Sequence, residues 1–190
     1  MHHLKSLRWF ASKLALLATV LAATVLTATV QTVQAQSAPT DYRDEFLRHF
    51  ERSSGKIAAL AEVVPEDLYD WSPMEGVMHV SQVYMHLARY NFMYLEDNLG
   101  IAAPDGIDVA NLETITDKSE VVELFGRSVE HVRESVKRMT EGELTATTIL
   151  YGREVAGWAV LFQLLSHMNE HVGQSVAYAR MNGIVPPWSR

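Results

Sequence analysis

His167 and His171 stand four residues apart in a stretch whose apolar residues recur at helical spacing. At 3.6 residues per turn, two such side chains leave a helix about 40° apart, so both imidazoles can reach one ion. Trp158, Leu161, Leu165, Val172 and Val176 make one apolar stripe of this stretch. Val160, Leu164, Gln174 and Tyr178 share a second stripe with the histidines, which therefore interrupt an apolar surface. Buried imidazole nitrogens need partners, and a shared metal would satisfy two at once. His86 offers a third donor, at the margin of another apolar helix face, with Gln82 and Tyr90 one turn to either side. Three histidines suit zinc, nickel, iron or copper, and three protein ligands leave a position for water or substrate. Spacing alone fits three separate, hydrogen-bonded core histidines equally well.

Tyr90, Tyr94, Gln82 and Gln174 are the polar groups expected around such an ion. Glu170 lies between the paired histidines in sequence but projects toward the solvent edge, and reads as a solvated carboxylate. His167 to His171 also spells H-x-x-E-H, a metalloprotease motif whose third ligand is a downstream carboxylate. No Asp or Glu follows His171, which argues against that reading. His49 and His131, each flanked by charged residues, read as solvated helix residues, and His79 as an end cap or surface group.

Four helices are expected to position these residues, each from apolar residues at three- and four-residue steps. The first covers about Asp41 to Val63, capped by Thr40 and stopped by Pro65, with Phe46, Phe50, Ile57, Leu60 and Val64 inward. A loop carrying Tyr69 and Trp71 follows. The second covers about Val80 to Leu99 and ends at Gly100, with Val83, Leu87, Phe92, Tyr94 and Leu95 on its apolar arc. Ile101 to Thr116 reads as a long connection across the bundle. The third begins near Asp117, which has capping-box spacing to Glu120, and buries Val121, Phe125, Val129, Val132, Val136 and Met139. The fourth covers about Ala156 to Asn182 and ends at Gly183. Leu144 to Tyr151 could form a short extended piece, but no segment alternates with period two, so no sheet is expected. The fold class is all-α, a four-helix bundle with longer connections between helices.

Ahead of this domain, residues 1–35 read as a secretory leader. Lys5, Arg8 and Lys13 precede an uncharged run from Leu14 to Val30, and Val33-Gln34-Ala35 offers a cleavage site after Ala35. The alternative is an uncleaved membrane anchor. The expected organisation is therefore a signal peptide at 1–35 and one domain at 36–190, exported to the periplasm or beyond. Three of the 16 basic residues and none of the 23 acidic ones lie in the leader, so the remainder carries 13 basic and 23 acidic side chains, a net charge of −10. Such a chain suits neither nucleic acid nor, once the leader is removed, an anionic membrane.

The stretch Ser166 to Ser189 resembles the closing helix of the DinB-like family. His167, His171, Gly173, Gln174, Arg180, Gly183, Pro186 and Pro187 match its pattern in order. Val77 to Leu95 is similar to the family's second helix, with His86 in M-H-L-A at the histidine position. The resemblance implies a four-helix bundle, often a homodimer, holding a divalent metal on His86, His167 and His171. Its relatives include bacillithiol transferases and a mycothiol-dependent maleylpyruvate isomerase. The leader departs from that pattern, because those thiols are cytosolic. The expected function is a metal-dependent transferase or hydrolase acting on a small molecule. The alternative is a non-enzymatic, exported metal- or ligand-binding bundle.

Overall fold

A computed structural model describes residues 41–189. Four long helices, α1 (Tyr42–Val63), α2 (Val80–Met93), α3 (Lys118–Arg138) and α5 (Gly157–Met181), form a bundle. Between α3 and α5 lie a short helix α4 (Glu141–Thr145) and a hairpin of β1 (Thr147–Leu150) and β2 (Arg153–Ala156). No helix among the described residues is long and apolar enough to cross a membrane. The expected leader lies outside them.

Helix ends follow local chemistry. Asp41 caps α1 by accepting from the Arg43 N–H at 2.9 Å; Thr40, the expected cap, lies outside the described residues. Pro65, which has no N–H to give, bars a further turn. His79 caps α2, its Nδ1 accepting from the Gln82 N–H at 3.2 Å, in agreement with the end-cap expectation. Asp117 caps α3 through the Glu120 N–H. The reciprocal capping box forms at Thr140 and Glu143 of α4, and Gly142 lies inside that short helix.

The expected inward residues of α1, α2 and α3 are all buried. On α5 the burial runs differently: Val160, Leu161, Leu164, Met168, His171 and Ser175 face the core, whereas Trp158 is largely exposed. The stripe carrying the histidines is thus the deeper of the two. The connection after α1 is also pinned, because the Tyr69 hydroxyl donates to the Ala61 carbonyl at 2.7 Å inside the core.

Packing pairs α2 with α3 and α5, and α1 with α3 and α5. The consecutive helices α1 and α2 therefore sit on a diagonal, and long connections are what permit this arrangement. Its consequence for the site is direct: the helix bearing His86 lies beside the helix bearing His167 and His171.

The hairpin corrects the expectation of no sheet. Leu150 pairs with Arg153, leaving Tyr151 and Gly152 as a two-residue loop with φ of 50° and 75°. Positive φ at both positions is the type I′ geometry that matches strand twist, but it favours Asn-Gly, and Tyr-Gly gives little signal. The strands have four residues each, too few for alternation to register. Beyond them, α5 starts where α4 crosses it closely. A Cβ on Gly157 would stand 2.5 Å from the Glu143 carbonyl oxygen.

Candidate metal centre

His86, His167 and His171 converge, each offering a ring nitrogen, with all three donor atoms within 4.8 Å of one another. The His167 Nε2 lies 3.2 Å from the Nε2 of His86 and 3.2 Å from that of His171. Two imidazole nitrogens at about 2.05 Å from a tetrahedral ion are roughly 3.3 Å apart, so the observed spacing fits a first-row divalent cation.

The outer nitrogens show which atoms are free to bind. His86 Nδ1 lies 2.9 Å from Glu113 Oε1, and Arg89 donates to the same oxygen at 3.2 Å. Burial acts to raise the Glu113 pKa, but the contacts with His86 and Arg89 outweigh it and hold the carboxyl below its ordinary value. An ionised carboxylate only accepts, so the His86 proton sits on Nδ1. His171 Nδ1 lies 2.6 Å from Gln174 Oε1. The Gln174 amide nitrogen donates to the Tyr178 hydroxyl at 3.0 Å, which in turn donates to the Met78 carbonyl at 3.1 Å. That backbone carbonyl cannot donate, so the direction of the whole relay is fixed, and the His171 proton also sits on Nδ1.

Both Nε2 atoms consequently present bare lone pairs toward His167. A single N–H on His167 can serve one of them, leaving the other contact lone pair to lone pair. A cation relieves all three. A proton is a poor substitute, because burial, reinforced by His171 and His86, pushes the His167 pKa down to about 4. Burial also lowers that of His171. The donor set therefore fits a divalent metal held by three neutral imidazoles, with two of them oriented from behind as metal-ligating histidines usually are.

Tyr90 covers one side, its ring centroid 4.5 Å from His86 and 4.6 Å from His167. Tyr94 meets His167 edge-on at 6.2 Å. Gln82, expected near the ion, makes no side-chain hydrogen bond to the triad. Helical side chains lean toward the N-terminus, so Tyr90 falls back onto His86 while Gln82 leans away. Glu170 is exposed, as expected, and the third histidine comes from upstream rather than a carboxylate from downstream. His49 is exposed and bonded to Glu45. His131 is only partly solvated: its ring packs on Phe92 at 5.4 Å and its Nε2 is buried without a partner. Charged sequence neighbours concealed that, since Glu130 faces solvent while His131 turns inward.

Glu113 and Arg89 were not expected at the site. Glu113 lies in a 3-10 turn (Val109–Thr114) that Leu112 anchors in the core. The connection has no periodicity from which its orientation could be read.

Convergent imidazoles from two adjacent helices define a class, the helical-bundle proteins with a histidine cluster that could hold a cation. The profile of the DinB superfamily matches residues 49–178, and the chain belongs to that family. A DinB-like protein from Bacillus cereus superposes with a TM-score of 0.66 at 17% identity, covering 76% of this chain and 95% of that one. YfiT from Bacillus subtilis, a probable metal-dependent hydrolase with an unusual four-helix bundle topology, gives 0.61 at 17% identity, covering 79% and 93%. The mycothiol-dependent maleylpyruvate isomerase gives 0.55 at 16% identity, covering 70% and 62%. At these identities the likeness is one of fold. No curated protein matches the sequence.

Proposed function

We propose that this chain is a metal-dependent enzyme of the hydrolase or transferase type, acting on a small molecule, with His86, His167 and His171 as the ligands of one divalent ion. The observation that carries the reading is the pair of relays, through Glu113 and through Gln174, that leave the Nε2 atoms of His86 and His171 bare and aimed at His167. Bound there, the ion would polarise a substrate oxygen or lower the pKa of a bound water or thiol. The protein's own part is to fix the tautomers of His86 and His171 and to wall one side with Tyr90 and Tyr94. The description of YfiT as a probable metal-dependent hydrolase supports the same direction.

Elemental analysis of the purified protein beside a His171→Ala variant tests the assignment. About one transition-metal ion per chain is expected in the first and far less in the second, because binding needs all three donors. Equal content in both would reject His171 as a ligand. Export is the second element of the proposal and rests on the leader pattern in residues 1–35. Amino-terminal sequencing of the protein recovered from the periplasm or medium should begin at Gln36; recovery of the intact leader in the cytosolic fraction would reject it.

A further inference from the structure

Tyr151 occupies a position that fold stability alone would not give to an aromatic residue. It is the one non-glycine residue with positive φ among the described residues. A bulky side chain there is a genuine conformational outlier, where Asn would be at ease. Outliers of this kind concentrate at functional sites, where the surroundings hold them in place.

The surroundings of Tyr151 do hold it. Its hydroxyl is hydrogen-bonded to that of the buried Tyr94, whereas Tyr151 itself is 64% exposed. Tyr94 opens a π-helical turn (Tyr94–Asn98) that continues α2, a feature frequent at functional sites. The last residue of that turn straps the hairpin: Asn98 donates to the Ile149 carbonyl at 2.6 Å, and the Thr148 hydroxyl donates to the Asn98 carbonyl at 2.6 Å. A row of rings thus leads outward from the histidines. Tyr90 lies 5.4 Å from Tyr94, and Tyr94 meets Tyr151 edge-on at 6.4 Å. Arg89, whose guanidinium stands 5.5 Å from the Tyr90 ring, is already engaged with Glu113. With Tyr94 buried between them, the partly exposed Tyr90 and the exposed Tyr151 offer π faces in place of a free cation, which suits a planar unsaturated group better than a second charge.

We propose that Tyr151, braced by the buried Tyr94, is a specificity-determining residue of the metal centre, forming with Tyr90 an aromatic wall that selects ligands carrying an aryl or similar planar unsaturated group. The assignment rests on the metal-centre reading above and adds the substrate class.

The test uses the Co2+-loaded protein, titrated with benzohydroxamate and with acetohydroxamate while the visible ligand-field bands are followed. Both probes bind a metal through the same two oxygens and differ in the group that would meet the wall. The measured quantity is the ratio of their affinities in the wild type divided by that ratio in Tyr151→Asn. A value of roughly threefold to tenfold is expected, the range of one aromatic contact. Tyr151→Asn should stay folded and keep its Co2+ affinity, since Asn suits the turn and Tyr151 is not among the three ligands. Tyr151→Phe, which keeps the ring, should keep most of the preference. Co2+ and acetohydroxamate binding with the same ratio in wild type and Tyr151→Asn would overturn the proposal while leaving the metal centre standing. So would complete loss of the preference in Tyr151→Phe. Failure to bind Co2+ at all would instead count against the triad itself.

Discussion

Glu113 accepts the Nδ1–H of His86 at 2.9 Å, so a loop carboxylate determines which nitrogen a helix histidine shows to the centre of the bundle. Removing that acceptor frees the ring to rotate and to change tautomer. Glu113→Ala should weaken metal binding about 10- to 100-fold, the usual effect of losing a group that orients a ligand. Competition with a chromophoric chelator measures it. An affinity unchanged within twofold would remove Glu113 from the site's support.

Metal should also stabilise the fold, because the converged geometry exists only in the native state. At a free Zn2+ concentration 100 times the dissociation constant, linkage gives about 2.7 kcal/mol. A rise in Tm with zinc is expected for the wild type. It should be absent in His171→Ala at the same concentration. Equal rises in both would mean that the ion acts elsewhere on the chain.

Most of the architecture could be read from apolar spacing, because α1, α2 and α3 each bury one continuous stripe against two neighbours. The three histidines could be named, but the groups that orient them could be read only in part. The four-residue step between His167 and His171 is local, and so is the step from His171 to Gln174. The partnership of His86 with Glu113 spans a connection without periodicity, and no spacing rule reaches across it. The hairpin stayed hidden for a different reason: Tyr151 breaks the turn chemistry by which short hairpins are recognised.

His131 gives a pH dependence with a definite sign. Burial, aided by the charge of Arg138, lowers its pKa from 6.5 against a smaller opposing effect of the Ile101 carbonyl. The unfolded chain therefore takes up a proton that the native state resists. Its contribution is intact above pH 6.5 and is lost as the pH falls from there toward the native value. Urea unfolding at pH 7.5 and pH 5 should show a smaller loss of stability on acidification in His131→Leu than in the wild type. Parallel losses would show that His131 carries none of the effect; the triad histidines contribute to both proteins alike.

Gly157 is required by a close approach rather than by its backbone angles. Gly157→Ala places a methyl 2.5 Å from the Glu143 carbonyl oxygen, and backbone must move to admit it. A loss of about 1–3 kcal/mol in chemical denaturation is expected, as for overpacking. The higher helix propensity of Ala would prevail only if α4 could retreat freely, and a neutral result would show that it can.

The diagonal placement of α1 and α2 bears on when an ion can first be captured. One donor comes from the second long helix and two from the last, so no partial chain that ends before His171 holds a complete set. Capture must await the arrival of the carboxy-terminal helix between its two neighbours. An ion bound there would thereby be a certificate of completed assembly, and a chain truncated before His167 would lack two of its three donors.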